Sequence, residues 1–458
     1  MTGPGPTATF ATSPHPAPAG VARTGDGSAR LLAGPAAPES LAEHLGRLGP
    51  LSLDSSPEAI LARFEGSGLT GRGGGHFPLW AKVAAARQAG GVPIVVVNAA
   101  EGEPASAKDR VLVTLRPHLV LDGAVAVAAA CGADSVVVAL HRGAAARASL
   151  ELAQAERAAA GWWEPAGGPA VLTGPGSRNA PPLRIVEVPD RYIAGESGAL
   201  ASFLGGGPPR PPSRRRSTAE TGIDGRPTVV SNAETLAHVG LVVRYGAEWF
   251  RSAGSPAAPG SCLVTLAGDV QAPGAVVEVV GPVTAAELAD WAAGPDRRWQ
   301  AVLLGGYAGT WLSRGRAGST RLQAGRPSDG SAGIGCGLMA VIDEDRCGLA
   351  EAARLLSWLS GERAGQCGAC SYGMPLLAAQ MEALAAGRAA WRRSNRRIAS
   401  LADHMAGRGL CSLPDGAVAM AESALEVFAE EGRLHRRRRC RAAASPGALP
   451  LPQHPDHR

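Results

Sequence analysis

The chain has 458 residues, a formal net charge of +5, 45% hydrophobic residues and only 4% aromatic ones. That length predicts roughly two to four domains with cores of Ala, Val and Leu, and so mild a charge excludes nucleic-acid binding as the default role. The eight cysteines are too scattered for a disulfide scaffold, and with no signal peptide and no run of about 20 apolar residues the expectation is a cytoplasmic protein without direct membrane insertion.

Residues 1–38 are rich in Pro, Ala, Gly, Thr and Ser and read as a disordered leader, followed by a lead-in segment over 39–56. An α/β domain is predicted over 57–254. Its first notable segment is Gly71-Arg72-Gly73-Gly74-Gly75-His76-Phe77-Pro78, with Lys82 just beyond. Glycines at this density let the backbone turn tightly and bring N–H groups against a ligand. A helix starting near Pro78 would add its positive end, where a phosphate is stabilised. Lysine is rare in this chain: among 45 Lys plus Arg, only Lys82 and Lys108 are lysines, and each falls in a candidate ligand loop.

Short β-rich runs then alternate with alanine-rich helical stretches, the pattern of a layered α/β domain with ligands at strand ends. Pro93–Asn98 reads as a buried parallel strand, Leu119–Ala130 as a helix, Ser135–Leu140 and Arg184–Val188 as further strands. The loop after the first strand, Asn98 to Pro104 with Lys108-Asp109-Arg110 beyond it, carries Glu101 and Glu103 as acceptors for hydroxyls or amides. A third loop, Gly195-Glu196-Ser197, follows a strand-like run Arg191-Tyr192-Ile193. A fourth, around Asn232, Glu234 and Thr235, has Ser231 or Asn232 as a helix cap.

Over 255–325 the pattern becomes that of a compact α+β module. A hairpin joins Cys262–Leu266 to Gly274–Val279, and a helix (Ala285–Ala292) and a strand (Ala301–Leu304) follow. Residues 345–432 are nearly all helical, with breaks at Gly361–Gly368 and Gly407–Gly416; 433–458 read as a basic disordered tail. Cys367 and Cys370 form a C-x-x-C pair in the first break and Cys411 lies in the second. Three such thiolates suit a metal or an iron–sulfur cluster. Zinc completed by His404 and a redox disulfide are the alternatives. Cys131, Cys262, Cys336 and Cys347 read as small buried hydrophobes, and Cys440 has no assigned role.

In this order, the segments resemble the flavin- and NADH-binding subunit of respiratory complex I, a family that includes the diaphorase subunits of soluble hydrogenases and formate dehydrogenases. The resemblance spans about Pro57 to Glu431. It implies an α/β FMN-binding domain, a β-grasp-like SLBB (soluble-ligand-binding β-grasp) domain and a C-terminal helical iron–sulfur bundle. It also implies that Gly71, Arg72, Gly73, Gly74, Lys82, Asn98, Glu101, Gly195, Glu196, Asn232 and Thr235 bind FMN. Glu103 and Phe77 would be catalytic residues at the nicotinamide, and Cys367, Cys370 and Cys411 would hold a 4Fe–4S or 3Fe–4S cluster. The implied function is electron transfer from NADH or another donor through FMN to the cluster, and on to a ferredoxin-like or other iron–sulfur partner. A ferredoxin-linked subunit that does not use NADH is the alternative; a non-catalytic zinc-binding protein is the reading from another class.

This chain departs from the family pattern at several positions. Gly373 stands where the cluster motif has its third cysteine, Ala100 where the acidic loop has Asp, and Ser197 where a second Glu follows Glu196. Ala85 and Ser217 stand where aromatic rings would clamp the adenine, with Arg214 replacing a lysine nearby.

Overall fold

The computed structural model describes residues 21–23, 28–53, 55–142, 146–161, 181–213, 217–325, 333–437, 439–440 and 447–452. Arg214 lies outside them.

A four-stranded, all-parallel sheet forms the first layer, in the order Leu183–Val188, Ser135–His141, Ile94–Ala99, Thr228–Asn232. Alternate residues serve opposite faces, as strand geometry requires. Val95, Val97, Val136 and Val138 enter one core; Val96, Val137, Ala139 and Val230 enter another. The first core also contains helices Pro117–Cys131 and Ala233–Arg251. The former is almost wholly buried, and its two buried polar side chains are paired, Asp122 with Arg157 and Arg244 and His118 with Glu156. Thr228–Asn232, anticipated only as a loop, is an edge strand whose register sets Asn232 beside Asn98 at the carboxyl ends. The strand-like run Arg191–Ile193 is instead a 3-10 turn, Tyr192–Gly195.

The second sheet has six strands, in the order Val21–Ala22, Val276–Val279, Cys262–Gly268, Leu338–Asp343, Trp299–Leu304, Thr310–Ser313. Its central pair, Cys262–Gly268 with Leu338–Asp343, is parallel, and the other pairings are antiparallel. One face (Val302, Leu304, Met339, Val341) packs on helix Ala285–Ala293; the other (Ala301, Leu303, Leu338, Ala340) packs on the C-terminal helices. The module therefore does not end at 325: Leu338–Asp343 is a central strand.

The expectation of a disordered leader over 1–38 is corrected for its described part. Leu31 and Leu32 are fully buried, and Val21–Ala22 adds an edge strand to the six-stranded sheet. The buried Glu278 carboxylate accepts from the N–H groups of Arg30, Leu31 and Leu32 at 2.9–3.1 Å. Buried Arg116 donates to the carbonyls of Leu32, Ala33, Pro35 and Ala37. Composition predicted disorder, but two adjacent leucines and two charge-assisted backbone anchors order the segment.

Helices Gly348–Gly361, Met374–Ala385, Trp391–Met405, Leu413–Val427 and Ala429–His435 make the C-terminal layer, with a π-helical turn at Ala369–Gly373. The tail also departs from expectation where it is described. Leu449 is buried, its N–H donates to Glu351 and its carbonyl accepts from Arg354, while the Pro450 carbonyl accepts from the Tyr307 hydroxyl at 2.6 Å. Among the described residues no single helix is long and apolar enough to cross a membrane. One pair, Lys108–Leu115 with Pro117–Cys131, passes by composition but is bent by 96°.

Candidate functional site

The carboxyl ends of the parallel strands open into a cavity of about 820 Å³. Gly71, Gly73, Gly74, Phe77, Lys82, Asn98, Glu101, Glu103, Gly195, Glu196, Asn232 and Thr235 all line it, and so does Cys411 from the helical layer. The size and mixed lining are those of a cofactor site. Phe77, 55% exposed, stands among the lining residues as a large apolar ring open to solvent.

The glycine loop turns through a left-handed residue, Gly74 (φ 92°), and returns to helix Leu79–Gln88, whose N-cap is Pro78. Lys82 lies one turn into that helix. Its Nζ donates to the Val230 carbonyl at 2.8 Å, and among the described residues it has no carboxylate partner. Burial lowers its pKa to about 8. A half-buried ammonium with spare donors facing a cavity is a place for an anion. Arg72, expected among the cofactor-binding residues, is corrected as to its side chain: it does not line the cavity. Its guanidinium donates to Thr70, Pro259 and Ser261, and its N–H donates to the Thr235 hydroxyl. Arg72 is a strut under the loop.

A closed polar network forms part of the cavity lining. Lys108 Nζ lies 2.9 Å from both Asp109 Oδ1 and Glu234 Oε2, and donates to Asn232 Oδ1 at 3.0 Å. Asn232 Nδ2 donates to Asp109 Oδ2 at 2.6 Å, while its Oδ1 caps the following helix by accepting from Glu234 N–H. Glu234 Oε1 accepts from Leu263 N–H, so the network ties the parallel sheet to the six-stranded one. Glu101 accepts from the Ser106 hydroxyl and from Asp109 N–H; burial, then Asp109, raises its pKa. Asn98 donates to the Gly195 carbonyl, which joins the second loop to the third. That junction has no room for side chains: a Cβ on Gly102 would sit 2.5 Å from the Tyr192 carbonyl oxygen. The polar lining is therefore held in place before any ligand arrives.

Glu103 stands on the opposite wall. Its Oε2 accepts from Tyr307 N–H at 2.7 Å and lies 3.7 Å from Cys336 Sγ. Burial raises its pKa to about 7, so it can hold or release a proton near neutrality. Cys336 is thus a wall of the site rather than a core residue. Tyr192, Lys108 and Cys336 were not singled out as site residues; Lys108 had a signal in its rarity, and the other two had none.

Of the three predicted cluster ligands only Cys411 lines the cavity; Cys370 and Cys411 are buried and Cys367 is half-buried. Although burial opposes the Cys367 thiolate, backbone N–H groups of Leu410, Cys370 and Ala369 favour it and lower its pKa; burial pushes Cys370 up to about 12. All eight cysteines are free thiols in this structure, with the Cys367 and Cys370 side chains adjacent. No three of Cys367, Cys370, His404 and Cys411 bring ligand atoms within 4.8 Å of one another, and exposed His404 engages the Ser400 carbonyl. A single zinc ion needs its ligand atoms closer together than these side chains bring them. Ala85 packs against the α/β core and Ser217 is exposed, and neither lines the cavity; Ala100 and Ser197 do.

Two family models match the chain: the Nuo51 FMN-binding domain over residues 64–241 and the NADH-ubiquinone oxidoreductase-F iron-sulfur binding region over 350–435. The second F subunit of NADH-quinone oxidoreductase in Rhizobium meliloti is 31% identical over 401 residues, covering 84% of this chain and 90% of that protein. The corresponding F subunit in Streptomyces coelicolor is 31% identical over 389 residues, 84% of each. Among solved structures, NAD+-reducing NiFe-hydrogenase in the air-oxidised state matches with a TM-score of 0.72 and 28% identity over 86% of this chain. The H2-reduced state matches with a TM-score of 0.70 over 83% of it. The chain spans 62–65% of the length of those hydrogenase chains.

Proposed function

This chain belongs to the family of NADH-quinone oxidoreductase F subunits, and we propose on that footing that its cavity takes electrons from NADH through FMN to an iron–sulfur cluster. It is an oxidoreductase subunit of the NADH-dehydrogenase type, with FMN and an iron–sulfur centre as its cofactors. The observation that carries the reading is the continuity of one cavity from the glycine loop and Lys82 to Cys411.

The residues fit the flavin. Lys82 offers a half-buried cation to the phosphate, and the Gly71–Gly74 backbone offers a close approach. Asn98, Glu101, Glu196, Asn232 and Thr235 present the polar edge for the ribityl chain and ring. Phe77 offers a face for the nicotinamide, and Glu103 holds a proton at its carboxyl close to neutral pH. The thiolates fit a cluster, with backbone N–H groups directed at Cys367. A flavin held by these residues would supply the exchange between two-electron and one-electron chemistry that the reading requires. Tyr372 and Leu376, exposed by 75% and 57%, lie just after Cys370, where an iron–sulfur partner would dock. Eight free thiols agree with the reducing conditions of the cytoplasm. The six-stranded sheet, whose outer strands flank a central parallel pair, supports assignment to the β-grasp (SLBB) type.

The second reading, a ferredoxin-linked protein that does not use NADH, is favoured by Ala100 and Ser197 in the cavity wall, where the family carries carboxylates. Anaerobic purification followed by stopped-flow mixing with NADH separates the two. Rapid bleaching of the flavin band supports NADH use. A flavin that bleaches only with reduced ferredoxin supports the second reading, and a preparation that cannot retain flavin overturns both.

A further inference from the structure

We propose that Cys347, His435 and Cys440 form a metal site for one zinc-class divalent cation, separate from the flavin cavity and from Cys367, Cys370 and Cys411, with Glu431 beside Cys347 as its neighbouring carboxylate. Cys347 and Cys440 were expected to be inert, and they lie 93 positions apart in sequence. Yet the ligand atoms of Cys347, His435 and Cys440 all lie within 4.8 Å of one another, the sole such trio among the described residues. Cys347 Sγ is 3.3 Å from His435 Nε2 and 3.4 Å from Glu431 Oε2. Zn–S bonds of about 2.3 Å and Zn–N bonds of about 2.0 Å in a tetrahedron separate ligand atoms by roughly 3.5–3.8 Å. Small rotamer adjustments bring the three ligand atoms of Cys347, His435 and Cys440 to those separations.

The imidazole is already set for coordination. Its Nδ1 lies 2.5 Å from the Ala385 carbonyl oxygen, which can only accept. Nδ1 therefore carries the proton in the neutral ring, and Nε2 turns its lone pair toward the cysteines. A backbone carbonyl on the remote nitrogen is the usual outer partner of a metal-bound histidine. Glu431 and His435 are four residues apart on helix Ala429–His435 and so share a face. Cys347 is the N-cap of helix Gly348–Gly361, where Ala350 N–H donates to Sγ at 3.3 Å. That donor and the helix end favour the thiolate. Burial and the Glu431 carboxylate push the Cys347 thiol up, a penalty that a bound cation removes. Leu349 N–H donates to Glu431 Oε2 at 3.1 Å and holds that carboxylate beside Cys347.

Two thiolates and one imidazole supply three ligands of the kind zinc takes, and a water or the Glu431 carboxylate, once rotated toward the ion, completes the tetrahedron. Binding releases the two thiol protons to solvent and involves no electron transfer. The ion clamps the chain's C-terminal stretch to the first helix of the cluster-bearing layer, which joins metal binding to folding there.

The test uses the full-length protein purified anaerobically with flavin and cluster, analysed for zinc, iron and flavin. About one zinc per chain is expected, falling below about 0.2 in Cys440→Ser and in His435→Gln with iron and flavin unchanged. Cys440 is exposed, so its replacement leaves the packed core intact. Zinc K-edge absorption of the wild type should fit two sulfur and two nitrogen or oxygen ligands. Absence of zinc, zinc unchanged in both variants, or a sulfur-only shell would each overturn the proposal. A Cys347–Cys440 disulfide found by mass spectrometry in the anaerobic protein would do the same.

Discussion

Met405 occupies the space in front of Gly373: a Cβ built on Gly373 would sit 2.6 Å from the Met405 sulfur and 2.7 Å from its Cγ. The family's cluster motif has a cysteine at this position, so the missing thiolate and the bulky thioether are two sides of one packing arrangement. Restoring the cysteine alone therefore overpacks a buried site. Gly373→Cys is expected to lower stability by about 1–3 kcal/mol without raising iron content. Gly373→Cys with Met405→Ala should accommodate the fourth thiol and move iron toward four per chain, from a three-iron or labile cluster in the wild type. Iron and sulfide analysis with an EPR spectrum reads this directly. Equal iron in the single and double variants would show that Met405 does not block the site.

Lys82 predicts opposite signs for apoprotein and holoprotein. Its pKa falls from 10.5 in the unfolded chain to about 8 in the folded one. Below pH 8 both states carry the charge, and the folded state bears the whole desolvation penalty of about 3 kcal/mol. Between about pH 8 and 10.5 the folded state releases its proton first, so stability rises with pH over that window. Lys82→Met should accordingly stabilise the flavin-free protein below pH 8, with the difference closing by pH 10.5. The same variant should bind FMN about 10- to 100-fold more weakly. Riboflavin, which lacks the phosphate, should bind both proteins alike. Calorimetric titration with the two flavins checks it, and an equal loss for riboflavin would remove the phosphate from the account.

Glu103 gives the reverse dependence. Its pKa rises from 4.5 unfolded to about 7 folded, so between these values the folded state holds a proton that the unfolded state has lost. Stability therefore falls as pH rises through that window, by about 3 kcal/mol in all, and stays low above it. Glu103→Gln keeps the acceptor for Tyr307 N–H and removes the titration. Melting of the apoprotein between pH 5 and 8 should decline in the wild type and stay level in the variant. Parallel profiles would mean that Glu103 ionises normally.

The sequence was most legible where local chemistry and tertiary placement agree. The run Ile94–Val97 is apolar and β-branched, and its polar end, Asn98, marks the ligand side of a parallel sheet. Asn232 was recognisable as a cap because its side chain serves its own helix. Legibility failed where the partner is remote. Strand Thr228–Asn232 is short and ends in Ser and Asn, and it exists because the Ile94–Ala99 strand lies beside it. Leu338–Asp343 completes a sheet whose other strands lie dozens of residues earlier. Cys347 and Cys440 have no sequence spacing that reports their approach, because the intervening helices fold back to create it.

The leader offers the most direct test of that last point, because composition and structure disagree over it. Arg116 is buried, and its guanidinium donates to four leader carbonyls as well as to the Leu115 carbonyl. Glu278 is also buried and receives three leader N–H groups and the Ser261 hydroxyl. Deleting residues 1–38 would expose the apolar bed of Leu31 and Leu32 and leave two buried charged groups short of partners. Each stranded charge costs about 3–5 kcal/mol, and each lost leucine contact about 1.5–3 kcal/mol. The deletion is expected to lower the melting temperature by at least roughly 10 °C or to abolish soluble expression. Arg116→Met, which keeps the leader but strands its carbonyls, should give a smaller fall in the same direction. Both are read by thermal melting of flavin-loaded protein. A deletion that melts with the wild type would return the leader to the disordered class that its composition suggested.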